Sequence, residues 1–317
     1  MSAGFAVEAQ GVTKRYGTKT ALNGISIGIE HGKIHVLLGR NGSGKTTLAK
    51  VLAGIMSPDS GIVSPNGAKG GACDPAYRRK VGFLFDSSVH WDSLTGFENA
   101  WFFARAYGLD PKQARRRIEL LFGQLSLTEA SGDPVSTYSF GMKRKLALVE
   151  ALVHEPALLI LDEPSIGLDY ASRITIYSLL RARAGQGLSI VIATNDMNEA
   201  RYLADTVSMI EKGRVLITGA PDELIKSLDQ RTLIQIELEV PADVSEVERI
   251  PGVLGASMLE GQNTRNLQVL AASVEEPRVT SELLAFLSRR GIGFSKLEFR
   301  RPELGDVFLK FVRSDQP

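Results

Sequence analysis

Cysteine is almost absent from this sequence, because Cys73 is the single cysteine in 317 residues. One cysteine excludes both a disulfide within the chain and a zinc site built from several cysteines. Long hydrophobic runs are also missing, since apolar runs such as Ala157–Leu161 and Ile190–Ala193 fall far short of the roughly 18 residues that span a bilayer. Residues 1–12 lack the features of a signal peptide. We therefore expect a soluble, cytoplasmic protein that reaches a membrane only through a partner.

An excess of either charge sign is missing too. The chain has 37 Lys and Arg against 36 Asp and Glu, a net charge of +1. Because nucleic-acid-binding proteins usually carry a clear basic excess, we expect no nucleic-acid partner. Hydrophobic residues make up 44 % and charged residues 23 %, which excludes a disordered or collagen-like chain. The length predicts about two domains.

Short apolar runs alternate with longer amphipathic stretches in the first part of the chain. Lys33–Leu38, Leu158–Leu161 and Ser189–Ala193 are rich in branched side chains. Such runs between helical patterns are typical of parallel strands that are covered on both faces. A helix-rich insert is expected over about Phe97–Ala151. The pattern predicts an α/β core with a helical insert.

The pattern changes after Arg231. Thr232–Val240 alternates apolar and polar residues, as a half-exposed strand does. Further short elements follow in the order βαββαβ, which predicts a ferredoxin-like α+β domain. A last helix is expected over Glu303–Phe311. We therefore predict a first domain over residues 1–231 and a C-terminal accessory domain over 232–317.

A glycine-rich segment, Gly39–Thr46, matches the pattern G-x-x-x-x-G-K-[ST] between a predicted strand and a predicted helix. The backbone N–H groups of such a loop and the positive end of the helix bind phosphate oxygens. Lys45 supplies a mobile charge, and the Thr46 hydroxyl is a Mg²⁺ ligand. The predicted nucleotide-binding residues are Gly39, Arg40, Asn41, Gly42, Ser43, Gly44, Lys45, Thr46 and Thr47.

Two carboxylates, Asp162 and Glu163, follow the apolar run Leu158–Leu161. A strand that ends in two carboxylates delivers both to the carboxyl end of the sheet, where ligands bind in such folds. Asp162 is predicted to hold Mg²⁺, and Glu163 is predicted to polarise the attacking water. ATP and Mg²⁺ are the ligands that these motifs imply.

Taken together, these elements resemble the ATP-binding subunit of an ABC transporter over about Val7–Arg231. Arg15-Tyr16-Gly17 resembles the family's adenine-stacking loop, and Tyr138–Met142 stands where the family has its signature L-S-G-G-Q. Gly167-Leu168-Asp169 resembles the dimer-contact loop. The resemblance implies a P-loop NTPase core of the ABC ATPase type, in which two chains sandwich ATP.

The same resemblance assigns roles to single residues. It implies that Tyr16 stacks on adenine and that Asp169 lies at the dimer contact. Ser139, Gly141 and Met142 are implied to contact the ATP that the partner chain binds. The partner is either a second copy of this chain or another ABC ATPase.

Three segments resemble one subclass within this family. The Tyr-Ser-x-Gly-Met signature, the segment Asp92–Asn99 and the ending Gly305–Lys310 resemble ATPases of drug, antibiotic and polysaccharide exporters. The resemblance implies an ATP-hydrolysing subunit that dimerises around ATP and powers an integral-membrane permease. It also implies a place on the inner face of the cell membrane, held there through the permease.

Two positions depart from the family pattern: Asp86 stands where most members have Gln, and Asn195 replaces the switch histidine. Asp86 brings a negative charge that Mg²⁺ or a water must balance, so it is a candidate metal residue. Asn195 can donate a hydrogen bond but cannot become a cation, which predicts slow hydrolysis. Both departures weaken this chain's own half-site. They fit the weak half of a heterodimer or a slow homodimer, and the intact Glu163 slightly favours the homodimer.

Two other functions remain open. One is an ATP-gated regulatory clamp with little hydrolysis, which Asp86 and Asn195 favour and Glu163 opposes. The other is a non-transport ABC protein that acts on ribosomes or DNA, which a single cassette and a net charge of +1 disfavour. For the transporter, Trp91 is predicted to contact a permease helix, whereas Phe102 and Phe103 are expected to be core.

Overall fold

The chain forms two compact units, residues 1–221 and 222–317. The computed structural model describes residues 4–65, 74–85, 90–228, 231–258, 265–300 and 303–314. The predicted boundary after Arg231 is later than this division, which falls at the first residue of a short helix, Pro221–Lys226. The predicted metal residue Asp86 lies outside the described residues.

The first unit contains two sheets and the helices around them. Its strands are β1 (Phe5–Tyr16), β2 (Lys19–Glu30), β3 (Ile34–Leu38), β4 (Ser60–Pro65), β5 (Val81–Leu84), β6 (Leu158–Asp162), β7 (Ser189–Thr194), β8 (Thr206–Glu211) and β9 (Arg214–Gly219). Its helices are α1 (Lys45–Leu52), α2 (Pro75–Arg78), α3 (Gly96–Ala106), α4 (Pro111–Gln124), α5 (Phe140–Leu152), α6 (Tyr170–Gly185) and α7 (Met197–Leu203). Helix α8 (Pro221–Lys226) follows at the division between the units.

The larger sheet has the strand order β5-β6-β7-β3-β8-β9. All neighbours are parallel except the β8–β9 hairpin. Strands β3, β6 and β7 are buried along their whole length, as inner strands with covered faces must be. The predicted parallel strands are thus confirmed. Since β6, β7 and β3 are adjacent, the residues that follow them meet at one edge of the sheet.

The smaller sheet is antiparallel, with the order β2-β1-β4. Helix α1 contacts strands of both sheets and buries Leu48, Val51 and Leu52 in a core that they share. The glycine-rich segment is anchored at both ends, because β3 precedes it, α1 follows it and both elements contribute buried side chains to the core.

The helical insert contains α3, α4 and α5, close to the range that the sequence predicts. Helix α3 begins with a capping box, in which the Thr95 hydroxyl accepts from the Glu98 N–H and the Glu98 carboxylate accepts from the Thr95 N–H. The expectation that Phe102 is core is wrong, since its side chain is 50 % exposed. The buried face of α3 is formed by small residues, among them Ala100 and Ala104, and Phe102 points away from it.

The second unit contains β10 (Arg231–Leu238), α9 (Val244–Val247), β11 (Val253–Met258), β12 (Asn266–Ala272), α10 (Glu276–Arg289), β13 (Phe294–Arg300) and α11 (Leu304–Ser314). The elements from β10 to β13 follow the order βαββαβ. Their strands form an antiparallel sheet in the order β11-β12-β10-β13. Alternate residues of β10 and β12 pack with the apolar face of α10 in a separate core. Within the described ranges, every helix is too short or too polar to cross a membrane.

Candidate nucleotide-binding site

The glycine-rich segment leaves β3 and turns tightly before α1. Gly42 and Gly44 have φ values of 80° and 113°, which side-chain-bearing residues rarely adopt. A Cβ atom on Gly39 would lie 2.2 Å from the main-chain oxygen of Ile210, so that position has no room for a side chain either. The three glycines are therefore required by the path of the loop, as the motif predicts.

Lys45 folds back over this loop. Its ammonium donates to the main-chain oxygens of Gly39 and Arg40, at 2.9 and 3.1 Å. The same Nζ lies 3.9 Å from Oε1 of Glu163. Burial lowers the pKa of Lys45, and the nearby carboxylates of Glu163 and Asp162 oppose that shift. The loop and the Glu163 carboxylate are thus brought together around one buried cation.

The N-terminal end of α1 suits an anion. Among the described residues, no side chain caps this end, and its first turn contains no acidic residue. The buried Ser43 hydroxyl also has no hydrogen-bond partner within the described part of the chain. Free N–H groups and a helix dipole attract phosphate. The exposed Thr46 beside them, on the same turn, carries a hydroxyl that suits Mg²⁺.

Asp162 and Glu163 stand at the end of β6. Asp162 is buried, at 3 % exposure. Glu163 has a φ of 48°, a left-handed conformation that costs a residue with a side chain about 1–2 kcal/mol. This turn aims the Glu163 carboxylate back towards Lys45. Burial raises the pKa of Glu163, against the opposing effect of the Lys45 charge, and a higher pKa makes the carboxylate a better base.

Two residues at the carboxyl end of β7, Thr194 in the strand and Asn195 directly after it, contact these groups. The Thr194 hydroxyl donates to Oε2 of Glu163, at 3.3 Å. The Asn195 amide donates to Oδ1 of Asn41 in the glycine-rich segment, at 3.0 Å. Asn195 therefore contacts the glycine-rich segment, and its switch role stays a prediction.

Arg144 of α5 is a functional candidate that our reading of the sequence missed. Its guanidinium is buried and donates to four main-chain oxygens, those of Asp162 (2.6 Å), Glu163 (2.5 Å), Pro164 (3.3 Å) and Phe85 (3.2 Å). The sequence carries a signal, because Arg144 precedes the buried Ala147 and Leu148 by three and four residues and so shares their helix face.

The signature segment and the predicted dimer-contact loop lie next to each other in the folded structure. Ser139 caps α5 and accepts from the N–H of Met142, at 3.2 Å. Asp169 caps α6 in the same way. Gly167 has a φ of 69°, and a Cβ there would lie 2.9 Å from the Phe140 ring. Signature and dimer loop therefore form one continuous surface.

Tyr16 stands apart from these contacts. It lies at the end of β1 and is half exposed, and its hydroxyl contacts the Met56 sulfur at 3.1 Å. An exposed aromatic face is what adenine stacking needs, so this role stays a prediction. The proposed roles of Thr47, Gly141 and Met142 stay predictions as well.

Comparison with known proteins gives the family. Residues 22–166 match the model of the ABC transporter family. The daunorubicin resistance ATP-binding protein DrrA2 of Streptomyces coeruleorubidus is 32 % identical, over 98 % of this chain and 95 % of its own. The Nod factor export ATP-binding protein I of Rhizobium sp. (strain N33) is 32 % identical, over 97 % of each chain.

A solved structure agrees with these matches. The structure of cbiO1 from Clostridium perfringens is 28 % identical and superposes with a TM-score of 0.61, over 71 % of this chain and 95 % of that one. Fold, site and relatives together define an ATP-binding cassette. The chain belongs to the ATP-binding proteins of ABC transporters, and its relatives include ATP-binding proteins of daunorubicin resistance and of Nod factor export.

Proposed function

We propose that this protein hydrolyses ATP as one chain of an ATP-binding dimer and thereby powers an integral-membrane permease that exports its substrate. The observation that carries this proposal is the meeting of Lys45, Glu163 and the phosphate loop at one edge of the sheet, with 3.9 Å between the ammonium and the carboxylate. A clamp that only binds nucleotide needs the loop but has no use for an oriented base.

Binding begins with the triphosphate. The N–H groups of the loop and of the first turn of α1 donate to phosphate oxygens, and Lys45 exchanges its bonds to the carbonyls of Gly39 and Arg40 for bonds to phosphate. The exposed ring of Tyr16 stacks on the adenine. These contacts orient the γ-phosphate towards Glu163.

Hydrolysis then needs one proton transfer. Glu163 accepts a proton from a water molecule while the water oxygen attacks the γ-phosphorus. The bond between that phosphorus and the β–γ bridging oxygen breaks, and ADP and phosphate leave. The Thr194 hydroxyl donates to one oxygen of Glu163 and so helps to orient the carboxylate that accepts the proton. The raised pKa of Glu163 favours proton acceptance near neutral pH.

Thr46, Asp162 and Asp86 are the residues that would hold Mg²⁺, directly or through water, and the ion would neutralise charge that develops on the phosphate oxygens. Asn195 donates a hydrogen bond to the γ-phosphate once its bond to Asn41 opens. Because an amide stays neutral, we expect it to stabilise the transition state less than an imidazolium would.

Dimerisation is supported by an apolar surface around the signature. Phe140, Ile166 and Tyr170 are 58 %, 48 % and 79 % exposed, and they lie beside Ser139 and Asp169. Exposed aromatic residues that cluster in this way are typical of protein interfaces. We propose that a second ABC ATP-binding chain covers them, so that Ser139, Gly141 and Met142 complete the partner's site.

The permease contact is proposed at Trp91. Its ring is 43 % exposed and packs edge-on against Phe102, with 4.6 Å between the ring centres. The fully buried Asn99 fixes the turn, because its amide accepts from the Trp91 N–H and donates to the Trp91 oxygen. The partner that fits is a cytoplasmic helix of the permease, and cbiO1 is itself part of a transporter complex. Trp91→Ala should abolish transport and keep ATP binding, whereas lost ATP binding would assign Trp91 to the core.

The test of hydrolysis is steady-state phosphate release by wild type, Glu163→Gln and Asn195→His. Glu119→Gln is the matched control, since this carboxylate on α4 is exposed and pairs with Arg115 one turn earlier on the same helix. We expect turnover that vanishes in Glu163→Gln, rises in Asn195→His and is unchanged in the control. Bound ATP with no turnover in any variant would instead favour the clamp, or the weak half of a heterodimer.

A further inference from the structure

Helix α5 connects two functional regions of the chain. Its first turn is the signature segment, where Ser139 forms the cap. Little more than one turn further on, Arg144 leaves the helix on its buried side. Its guanidinium reaches the main chain at the ends of two neighbouring strands, at Phe85 after β5 and at residues 162–164 at the end of β6. Because Ser139 caps the same continuous helix that contains Arg144, a movement of its first turn also moves Arg144.

Arg144 is suited to holding backbone rigidly. A guanidinium stays charged at any accessible pH and presents its donors in a planar fork. Its bonds to the oxygens of Asp162 and Glu163 are short, at 2.6 and 2.5 Å, as charge-assisted hydrogen bonds are.

The bond to Glu163 has a particular consequence. Glu163 has a left-handed backbone, and such a conformation persists only where the surroundings impose it. Arg144 donates to the main-chain oxygen of Glu163, and the Glu163 N–H in turn donates to the main-chain oxygen of Ala193, at 2.8 Å. Arg144 and β7 therefore fix the direction of the catalytic carboxylate from opposite sides.

We propose that Arg144 is a positioning residue that couples the signature segment to Glu163 of the same chain. This inference rests on the proposed function, in which the signature contacts the partner's ATP. Nucleotide in the partner's site shifts α5, the guanidinium moves with the helix, and the Glu163 main chain follows. ATP bound in one half of the dimer thereby sets the base of the other half.

Three variants test the proposal. Arg144→Gln removes the fork, and Arg144→Lys keeps the charge but can bond fewer of the four oxygens. Lys143→Gln is the matched control, because it removes a neighbouring positive charge that pairs with the exposed Asp92. We measure kcat and KM for ATP, affinity for a fluorescent ATP analogue, and amide hydrogen exchange of residues 162–168 with and without ATP.

For Arg144→Gln we expect kcat to fall about 100-fold, as it does for a misplacement of about 1 Å, with KM and ATP affinity within about twofold of wild type. Arg144→Lys should recover part of kcat, and Lys143→Gln should keep it. A normal kcat in Arg144→Gln would overturn the proposal. So would a parallel loss of ATP affinity and kcat, since that pattern is a general loss of structure. If Arg144→Gln does not fold, the same criteria apply to Arg144→Lys.

Coupling has its own readout in a double-mutant cycle with Ser139→Ala. If the signal passes through Arg144, the double variant should lose no more kcat than the worse single variant; independent, multiplying losses would contradict the proposal. If wild type shows no ATP turnover, the proposed hydrolysis is refuted, but amide hydrogen exchange still tests whether Arg144 couples the signature segment to Glu163. ATP-dependent protection of residues 162–168 that Arg144→Gln abolishes supports coupling, and protection that is absent in wild type or retained in Arg144→Gln refutes it.

Discussion

His35 makes a sharp prediction about pH. It lies on β3, the strand that leads into the phosphate loop, and it is 3 % exposed. Its Nε2 lies 2.9 Å from the Ser208 hydroxyl, which in turn bonds to Thr218 at 2.7 Å. Burial lowers the pKa of His35 from 6.5 to about 4. The folded protein therefore keeps this imidazole neutral where the unfolded chain protonates it.

The sign and the size of the effect on the free energy of unfolding follow from the linkage between proton binding and folding. Between pH 6.5 and 4 the unfolded state binds the extra proton, so the free energy of unfolding is fully retained above pH 6.5 and falls as the pH drops towards 4. For these two pKa values the loss between pH 7 and pH 5 is about 2 kcal/mol from His35 alone. His35→Gln should not show this loss, because its side chain is neutral at both pH values and can still bond Ser208.

The assay is denaturant unfolding at pH 7 and pH 5, followed by tryptophan fluorescence. Both tryptophans, Trp91 and Trp101, lie in the first unit, so the signal reports on the unit that contains His35. Wild type should lose about 2 kcal/mol more than His35→Gln over this interval. Groups that titrate in both proteins cancel in the comparison. A difference below about 0.5 kcal/mol would refute the claim that the buried imidazole is neutral.

Three further substitutions probe the site. Gly44→Ala should weaken binding of a fluorescent ATP analogue about tenfold or more, because the added methyl meets the Ala21 oxygen at 2.6 Å in a left-handed turn; unchanged affinity would contradict this. Asn99→Ala should lower the free energy of unfolding of the first unit by about 1–3 kcal/mol, since it leaves the part-buried Trp91 N–H without its acceptor, and denaturant unfolding measures this loss. Ser139→Ala should remove about 1 kcal/mol by the same assay, because α5 loses its cap, and should also slow ATP turnover.

Much of the fold is visible in the sequence because it depends on local patterns. The buried strands β3, β6 and β7 appear as short branched apolar runs, and the phosphate loop appears as glycines and a lysine at fixed spacing. These signals are strong because each motif restricts backbone conformation within a few residues. The exposed side of α3 was harder to assign, since aromatic residues lie on both sides of it and only its packing leaves Phe102 half exposed.

The sequence by itself determined the chemistry: a loop for phosphate, two carboxylates after a strand, and a family whose members bind ATP. Only the tertiary structure decided which groups meet. That Asn195 bonds Asn41, 154 positions away, and that Arg144 holds the backbone of Glu163 follow from the adjacency of strands and helices that are distant in the chain. Local propensity carries no information about such pairs, because they form only when the sheet order and the shared core bring their elements together.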